Sequence, residues 1–372
     1  MIIKNAKIVD SNFELKKLDV EIDDGKILRV EENIPYDDDD FVLNCEGFTM
    51  VPGFIDIHIH GCVGRDTCDA TREAISDMAE YLISKGVTSF LPTTLTVDTG
   101  TIAAALAAAK DCMDNPPEGA AIAGINMEGP FINKAKKGAQ NEAFVLAPNF
   151  DTFKELYDGC GGIVKLVDIA PEIEGGHEFA EKASELCTVS IAHTCADYDQ
   201  ATESFKHGIT HATHLFNAMN DISHRSPGVV GAVFDDENVM AEIICDGHHI
   251  LPPVVRTAFK VMGDRLCVIS DALMMSGMPE GTESDLGGLH IQVKNGTAVL
   301  DDGTIAGSIT NLHEELKNLV SWGVPFTQAV KAMTINPAKQ IGIDHITGSI
   351  EAGKKADLVI LDNELNIVAV YH

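Results

Sequence analysis

GFIDIHIHGCVGRD, residues 53–66, ends an apolar run on two histidines and follows them at once with glycine. Residues i and i+2 of a strand project to the same side, so His58 and His60 would face one common point. The construction of an apolar run followed by a helix-like stretch recurs along the chain. The runs are GFIDI, VTSFLPT, AIAGINM, GIVKLVDIA, TVSIA, ITHAT, VMAEIIC and LCVIS. Helical stretches are expected between most of them, among others at 71–85, 101–113, 177–187, 197–207 and 252–262. Eight such runs predict a (β/α)8, TIM-like barrel of the α/β class rather than a doubly wound open sheet.

Outside that pattern, the first 50 residues alternate apolar and polar positions with turn signals between them, which predicts several short antiparallel strands. Residues 348–372 return to the same style. The two ends, 1–50 and 348–372, are therefore expected to form one small discontinuous β-sandwich domain around a catalytic barrel at 51–347. The string LHIQVKNGTAVLDDGTIAG breaks the barrel rhythm with an Asn295-Gly296 turn and reads as an inserted hairpin near 289–305. Asp37 to Asp40 read as a solvated loop.

Composition narrows the function. The 372 residues are 45% hydrophobic and 23% charged, ordinary for a globular chain. A formal net charge of −30 argues against nucleic acid and anionic membrane surfaces as partners. No apolar stretch reaches the roughly 18 residues of a membrane span, and MIIKNAKIVD lacks the apolar core of a signal peptide. Nine scattered cysteines without a CxxC pair fit a reducing cytoplasm rather than a disulfide framework. The sequon at Asn295 coincides with the expected hairpin turn. No GxGxxG or P-loop string is present, so a nucleotide site is not expected.

Barrel enzymes draw their reactive groups from the C-terminal ends of the strands. After GFIDI come His58 and His60, after GINM Glu128, after TVSIA His193, after ITHAT His214 and after LCVIS Asp271. Each alone has a structural reading: a histidine beside an apolar run is usually bonded in the core, and Asp271 would serve as a helix cap. Six such residues at the same ends of five runs point instead to a metal centre. Imidazole and carboxylate without thiolate suit Zn²⁺, Fe²⁺ or another divalent first-row ion. Cys195 and Cys245, near in sequence, read as small buried hydrophobes. Glu128, His193 and His214 can make one open three-ligand site. His58 and His60, sharing Glu128 or Asp271, can hold a second ion, so one or two ions per subunit are expected. Such an ion acidifies water and polarises a carbonyl, with Asp271 passing the proton to a leaving nitrogen.

These residues resemble the amidohydrolase superfamily. The strings PGFIDIHIHG, NMEGPFINKAKKGAQ, HLFNAMNDISHRSPGVVGA, ICDGHH, SDALMMSGMPEG, GTIAGS and NPAKQIGI are similar, over essentially the whole chain, to the N-acetylglucosamine-6-phosphate deacetylase family within it. The resemblance implies hydrolysis of the N-acetyl amide of a phosphorylated amino sugar. It implies Glu128, His193 and His214 as the main metal ligands and Asp271 as catalytic acid/base. Substrate contacts are implied for Ala139 and Gln140 in KKGAQ, for Asp246 and His249 in DGHH, and for Ile305, Ala306 and Gly307 in TIAG. Asn217 and Ala218, in FNAM, would touch the phosphate. A homodimer is implied, with Arg225 of SHRSPG reaching into the neighbouring subunit. A guanidinium offers phosphate paired donors, so an acidic protein can recognise that group with few cations.

Two departures stand out. Family members usually carry His where this chain has Gln140. Glutamine donates and accepts hydrogen bonds but carries no proton at neutral pH, which makes N-acetylgalactosamine 6-phosphate the alternative substrate. Met274 and Met275 follow Asp271 where smaller or polar residues are common, and read as core. The retained HxH, lost in some single-metal members, admits a second ion. Among other amidohydrolases, many cyclic amidases use a carboxylated lysine at the fourth strand end. Here that end reads VDIAPE with Lys165 inside the run. Adenine-type deaminases leave Arg225 beside FNAM unexplained. A catalytically dead metal-binding scaffold would have lost Asp271 or a ligand, and none is lost.

Overall fold

The computed structural model describes residues 1–372. Its centre is a barrel of eight parallel strands: β1 (Phe54–Ile59), β2 (Val87–Thr94), β3 (Ile125–Met127), β4 (Val164–Ile169), β5 (Thr188–Ile191), β6 (Ile209–Ala212), β7 (Met240–Ile244) and β8 (Leu266–Ile269). They pair in chain order from β1 to β8. The ring is tied between β8 and β1 just beyond the strands, where Asp271 N donates to His58 O and His60 N to Ala272 O, each at 2.9 Å. One expected run is broken: AIAGINM gives two short strands, because Gly124 turns at φ +143° where a Cβ would strike the side chain of Lys165.

Helices fill the expected stretches at Arg72–Ser84, Thr99–Asp114, Gly176–Ala183, Tyr198–Lys206 and Pro252–Met262. Their starts are chemically marked. Thr71 and Asp98 each accept a backbone N–H as N-caps, and Asp197 with Gln200 forms a capping box. Ile75, Met78, Ala79 and Leu82 of the first helix make a buried stripe at helical spacing, packed against the barrel. No helix is long and apolar enough to cross a membrane.

The barrel lumen departs from the usual layers of branched apolar side chains. Asp56, His58, Asn126, Asp168, Ser190, His211 and Glu242 lie on its strands, all completely buried. Some of their bonds pass between strands that are not neighbours. Thr213, beyond β6, donates to Asp168 on β4 at 2.6 Å, and His58 on β1 meets Glu242 on β7 at 3.0 Å.

Both chain ends enter one seven-stranded sheet with the order Ile367–Tyr371, Leu358–Leu361, Thr49–Pro52, Ile2–Val9, Leu15–Asp23, Lys26–Glu31, and Val42–Asn44 also against Ile2–Val9. The pairing is mixed. Ile2–Val9 runs antiparallel to Leu15–Asp23 but parallel to Val42–Asn44 and Thr49–Pro52. The sheet has its own apolar core, including Ile3, Ile8, Val20, Met50 and Ile360. Between β8 and the last helices lies a four-stranded antiparallel sheet, Glu283–Leu286, Leu289–Lys294, Thr297–Leu300 and Ile305–Gly307. Its middle hairpin turns at Asn295 and Gly296, both with positive φ as a two-residue I′ turn requires.

Candidate active site

Every reactive residue lies within two positions of the end of its strand, His58 one before the end of β1 and His60 one after it. Glu128 follows β3 directly, and His193, His214 and Asp271 stand two residues beyond β5, β6 and β8. Those three share left-handed backbone, with φ of +42°, +30° and +46°. That conformation costs a non-glycine residue about 1–2 kcal/mol, and residues held in it cluster at functional sites. Tertiary bonds hold it here. Asn133 N donates to His193 O and Ser308 N to Asp271 O, both at 2.9 Å, and Glu242 accepts the N–H of His214 at 3.2 Å.

The side chains converge. Glu128 Oε1 lies 3.1 Å from His193 Nε2 and 3.0 Å from His214 Nε2, which are themselves 3.2 Å apart. His60 Nε2 lies 3.3 Å from Glu128 Oε2 and 3.4 Å from Asp271 Oδ1. His58 Nε2 lies 3.4 Å from His60 Nε2 and 3.6 Å from both Glu128 Oε1 and Asp271 Oδ1. Three of the four rings are fixed from behind. His193 Nδ1 donates to Lys136 O at 2.8 Å, His60 Nδ1 to Thr93 O at 3.2 Å and His58 Nδ1 to Glu242 Oε2 at 3.0 Å. A proton on Nδ1 leaves the lone pair of Nε2 facing inward.

Lone pairs and carboxylate oxygens packed this closely repel one another unless a cation lies among them. The residues therefore fit a divalent ion, and they offer more than one donor set: Glu128 with His193 and His214, His58 with His60 and Asp271, and His58 with Glu128 and Asp168. Protons on the facing imidazole nitrogens act on Glu128 as an ion would: burial by itself raises its carboxyl, but His193, His214 and His60 in that form more than offset it and hold the group well below the usual range. Burial also opposes ionisation of Asp271, and His60 and His58 again prevail, so that it lies below its ordinary value. Deeper in the lumen burial wins. It pushes Asp168 and Glu242 well up, Asp56 up to about 6 and His211 down to about 3.

This cluster floors a cavity of about 230 Å³, whose walls include Ala139, Gln140, Asn217, Ala218, His249, Ile305 and Ala306. Asp246 stands behind His249, accepting its Nδ1–H at 2.7 Å and two backbone N–H groups at 2.8 and 2.9 Å. Gly307 lets the inserted sheet close on the site, since a Cβ there would lie 3.0 Å from Asp271 O. Gln140 is pinned: Thr96 N–H donates to its Oε1 at 2.7 Å, and its Nε2 donates to Glu128 Oε2. Met274 and Met275 are buried in the main core. Arg225 sits exposed on the loop after β6, and no lysine or arginine lines the cavity.

The Amidohydrolase family matches residues 49–371. The chain belongs to the amidohydrolase family. It is 34% identical over 375 residues to the N-acetylglucosamine-6-phosphate deacetylase of Bacillus subtilis, covering 99% of this chain and 94% of that one. An N-acetylgalactosamine-6-phosphate deacetylase of Escherichia coli O157:H7 is 29% identical over 373 residues, 100% of this chain and 97% of that one. Among solved structures, an Asp-to-Ala variant of N-acetyl-D-glucosamine-6-phosphate deacetylase from Mycobacterium smegmatis, in complex with N-acetyl-D-glucosamine-6-phosphate, superposes with a TM-score of 0.92. It is 30% identical and covers 100% of this chain and 97% of that chain.

This amidohydrolase also carries site residues that the strand-end reading missed. Glu242 and Asp168 lie inside β7 and β4 rather than after them, where an end-of-strand search does not look. The signal was available: a carboxylate in the middle of an otherwise apolar run, in VMAEIIC and KLVDIA. The carbonyls of Lys136 and Thr93, which orient His193 and His60, had no sequence signal, because any residue supplies a carbonyl.

Proposed function

We propose that this amidohydrolase removes the acetyl group of N-acetylglucosamine 6-phosphate, giving glucosamine 6-phosphate and acetate. The observation that carries the reading is the shared floor of one cavity: the Asp271 carboxyl beside Glu128, His193 and His214, with His60 Nε2 3.4 Å from Asp271 Oδ1. A divalent ion held by those ligands supplies acidified water and polarises the amide carbonyl. Asp271 takes the proton of the attacking water on a carboxylate oxygen and returns it to the sugar nitrogen as the C–N bond breaks. His249, oriented by Asp246, turns its other ring nitrogen to the substrate. The inserted sheet brings Ile305 and Ala306 over the sugar and excludes bulk water.

Two of the donor sets, Glu128 with His193 and His214 and His58 with His60 and Asp271, share no residue and so favour two ions, and nitrogen and oxygen donors favour Zn²⁺ or Fe²⁺. A cavity without a cation of its own, an exposed Arg225 and a phosphorylated substrate fit a homodimer in which Arg225 crosses to the neighbouring site, beside Asn217 and Ala218. Nine unpaired cysteines fit a reducing cytoplasm. The barrel at 51–347 would carry the chemistry, with residues 1–50 and 348–372 as its β domain.

The test is acetate release by protein stripped with a chelator and reloaded with Zn²⁺ or Fe²⁺. The substrates are N-acetylglucosamine 6-phosphate, its galacto and manno epimers, and unphosphorylated N-acetylglucosamine. Turnover confined to the phosphorylated gluco sugar is expected. Gln140, already engaged by Thr96 and Glu128, is the one observation that favours the galacto epimer as a second reading. A preference for that sugar would overturn the gluco assignment, and no release from any of the four would overturn the deacetylase reading.

A further inference from the structure

Glu242 lies in the middle of β7, completely buried, between the apolar Ala241 and Ile243. Its Oε2 reaches across the lumen to His58 Nδ1 at 3.0 Å and also accepts the backbone N–H of His214 at 3.2 Å. Its own carbonyl accepts the N–H of Leu215 at 2.9 Å, which ties β7 to the same turn. One carboxylate thus touches a member of each main donor set, His58 in one and His214 in the other. Its second oxygen, Oε1, has no partner in the chain. A buried carboxylate left half satisfied is costly, and an apolar side chain of the same size would fill the space without that cost. What Oε2 does must therefore account for its presence.

We propose that Glu242 is a positioning residue for the metal centre, acting on both subsites at once. By accepting the Nδ1–H of His58 it selects the tautomer whose Nε2 lone pair faces His60, Glu128 and Asp271. The same contact raises the basicity of that nitrogen toward a cation, as carboxylates behind metal-bound imidazoles do. By accepting the His214 N–H it holds the left-handed turn, φ +30°, that points the second ring at Glu128. The inference rests on reading His58 and His214 as ligands. Of the other lumen carboxylates near His58, Asp56 accepts its backbone N–H at 3.3 Å and Asp168 is bonded to the Thr213 hydroxyl, and neither holds a ligand ring.

The test uses the full chain as wild type, Glu242→Gln and Glu242→Leu, each stripped of metal. Zinc is titrated calorimetrically, bound zinc is counted by elemental analysis, the visible spectrum is recorded with Co²⁺, and the metal-free unfolding midpoint is measured. Glu242→Leu is expected to bind zinc about 10- to 100-fold more weakly and to shift the Co²⁺ spectrum, with a metal-free midpoint close to wild type. Glu242→Gln, which keeps one acceptor oxygen but sets an NH2 donor in place of the other, is expected to fall between the two. Wild-type zinc affinity and spectrum in Glu242→Leu would overturn the proposal. If Glu242→Leu does not fold, Glu242→Gln decides: a weakened affinity supports the positioning role, and unchanged affinity with an unchanged spectrum overturns it. If the wild type takes up one ion only, the two-ion reading fails, and Glu242 is judged on that single affinity through His214. None of these readouts depends on the identity of the substrate.

Discussion

Asp19 in the terminal sheet and Glu128 at the mouth of the barrel are carboxylates of nearly equal burial, 3% and 2% exposed, with opposite surroundings. Asp19 accepts the N–H groups of Asn5 and Ile34 at 3.0 Å each and pairs with Lys4 Nζ at 3.0 Å. Burial opposes its ionisation, but these partners prevail and hold it below its ordinary value. Glu128 meets imidazole nitrogens and one amide, with no lysine or arginine at hand, and the carboxylates beneath it, Asp168 and Glu242, each keep an oxygen without a partner. Buried polar groups are bonded as a rule. A carboxylate whose bonds are complete marks architecture; a cluster of incompletely satisfied ones facing imidazoles marks a site that takes a ligand.

The backbone divides in the same way. In the terminal sheet, left-handed residues serve geometry: Asn5 lies where the pairing with Leu15–Asp23 slips, and Asp24 turns a hairpin. At the barrel mouth they serve position, at His193, His214, Ala218 and Asp271. The largest effect should come from the residue that combines strain with chemistry. Asp271→Asn is expected to lower kcat by about 10²- to 10⁴-fold while the ion at Glu128, His193 and His214 stays bound. Turnover and metal content measured on one preparation check both halves. Near-normal turnover would remove Asp271 from the proton path and break the comparison at its centre.

Arg225 comes next, as the one cation assigned to a site that its own chain leaves without any. Arg225→Ala is expected to lower kcat/KM by about 10- to 100-fold, the scale of a charge-assisted bond to phosphate, with no loss of zinc. Mixing it with Asp271→Asn sharpens the point. Hybrid dimers would pair an intact Arg225 with an intact Asp271 in one site, so activity should return on mixing. No recovery after verified subunit exchange would place the arginine in its own subunit or outside the site.

The barrel was legible because its signal is local. Eight apolar runs became the barrel strands in chain order, one of them broken in two at Gly124, and the reactive residues were visible at run ends, where position follows from one strand alone. The Asn295-Gly296 turn was readable for the same reason. Contacts that cross the lumen were not. That Glu242 reaches His58 depends on the inward parity of β7 and β1 together, over 184 residues of separation. The tie from Asp271 N to His58 O has the same character. Gln140 looked like a residue free to touch sugar. Its engagement by Thr96 N–H depends on how two loops approach, which no spacing within KKGAQ encodes. The polar lumen was misleading in a useful way, since GFIDI and VMAEIIC read as apolar strands although Asp56 and Glu242 in them face inward.

The smallest effect on turnover belongs to the residue whose bonds are complete. Asp19→Ala leaves Lys4 and the N–H groups of Asn5 and Ile34 without their acceptor and should cost about 1–3 kcal/mol of stability, with kcat and zinc affinity unchanged. The sign of its pH dependence follows from the native value lying below the unfolded one. Asp19 contributes stability above the ordinary aspartate range, and loses it as pH falls through the depressed native value. Unfolding midpoints of wild type and Asp19→Ala should therefore differ most near neutrality and converge in acid. A gap that widened in acid, or a fall in zinc affinity, would mean that the terminal sheet is coupled to the barrel mouth, and that complete hydrogen bonding does not separate architecture from function in this chain.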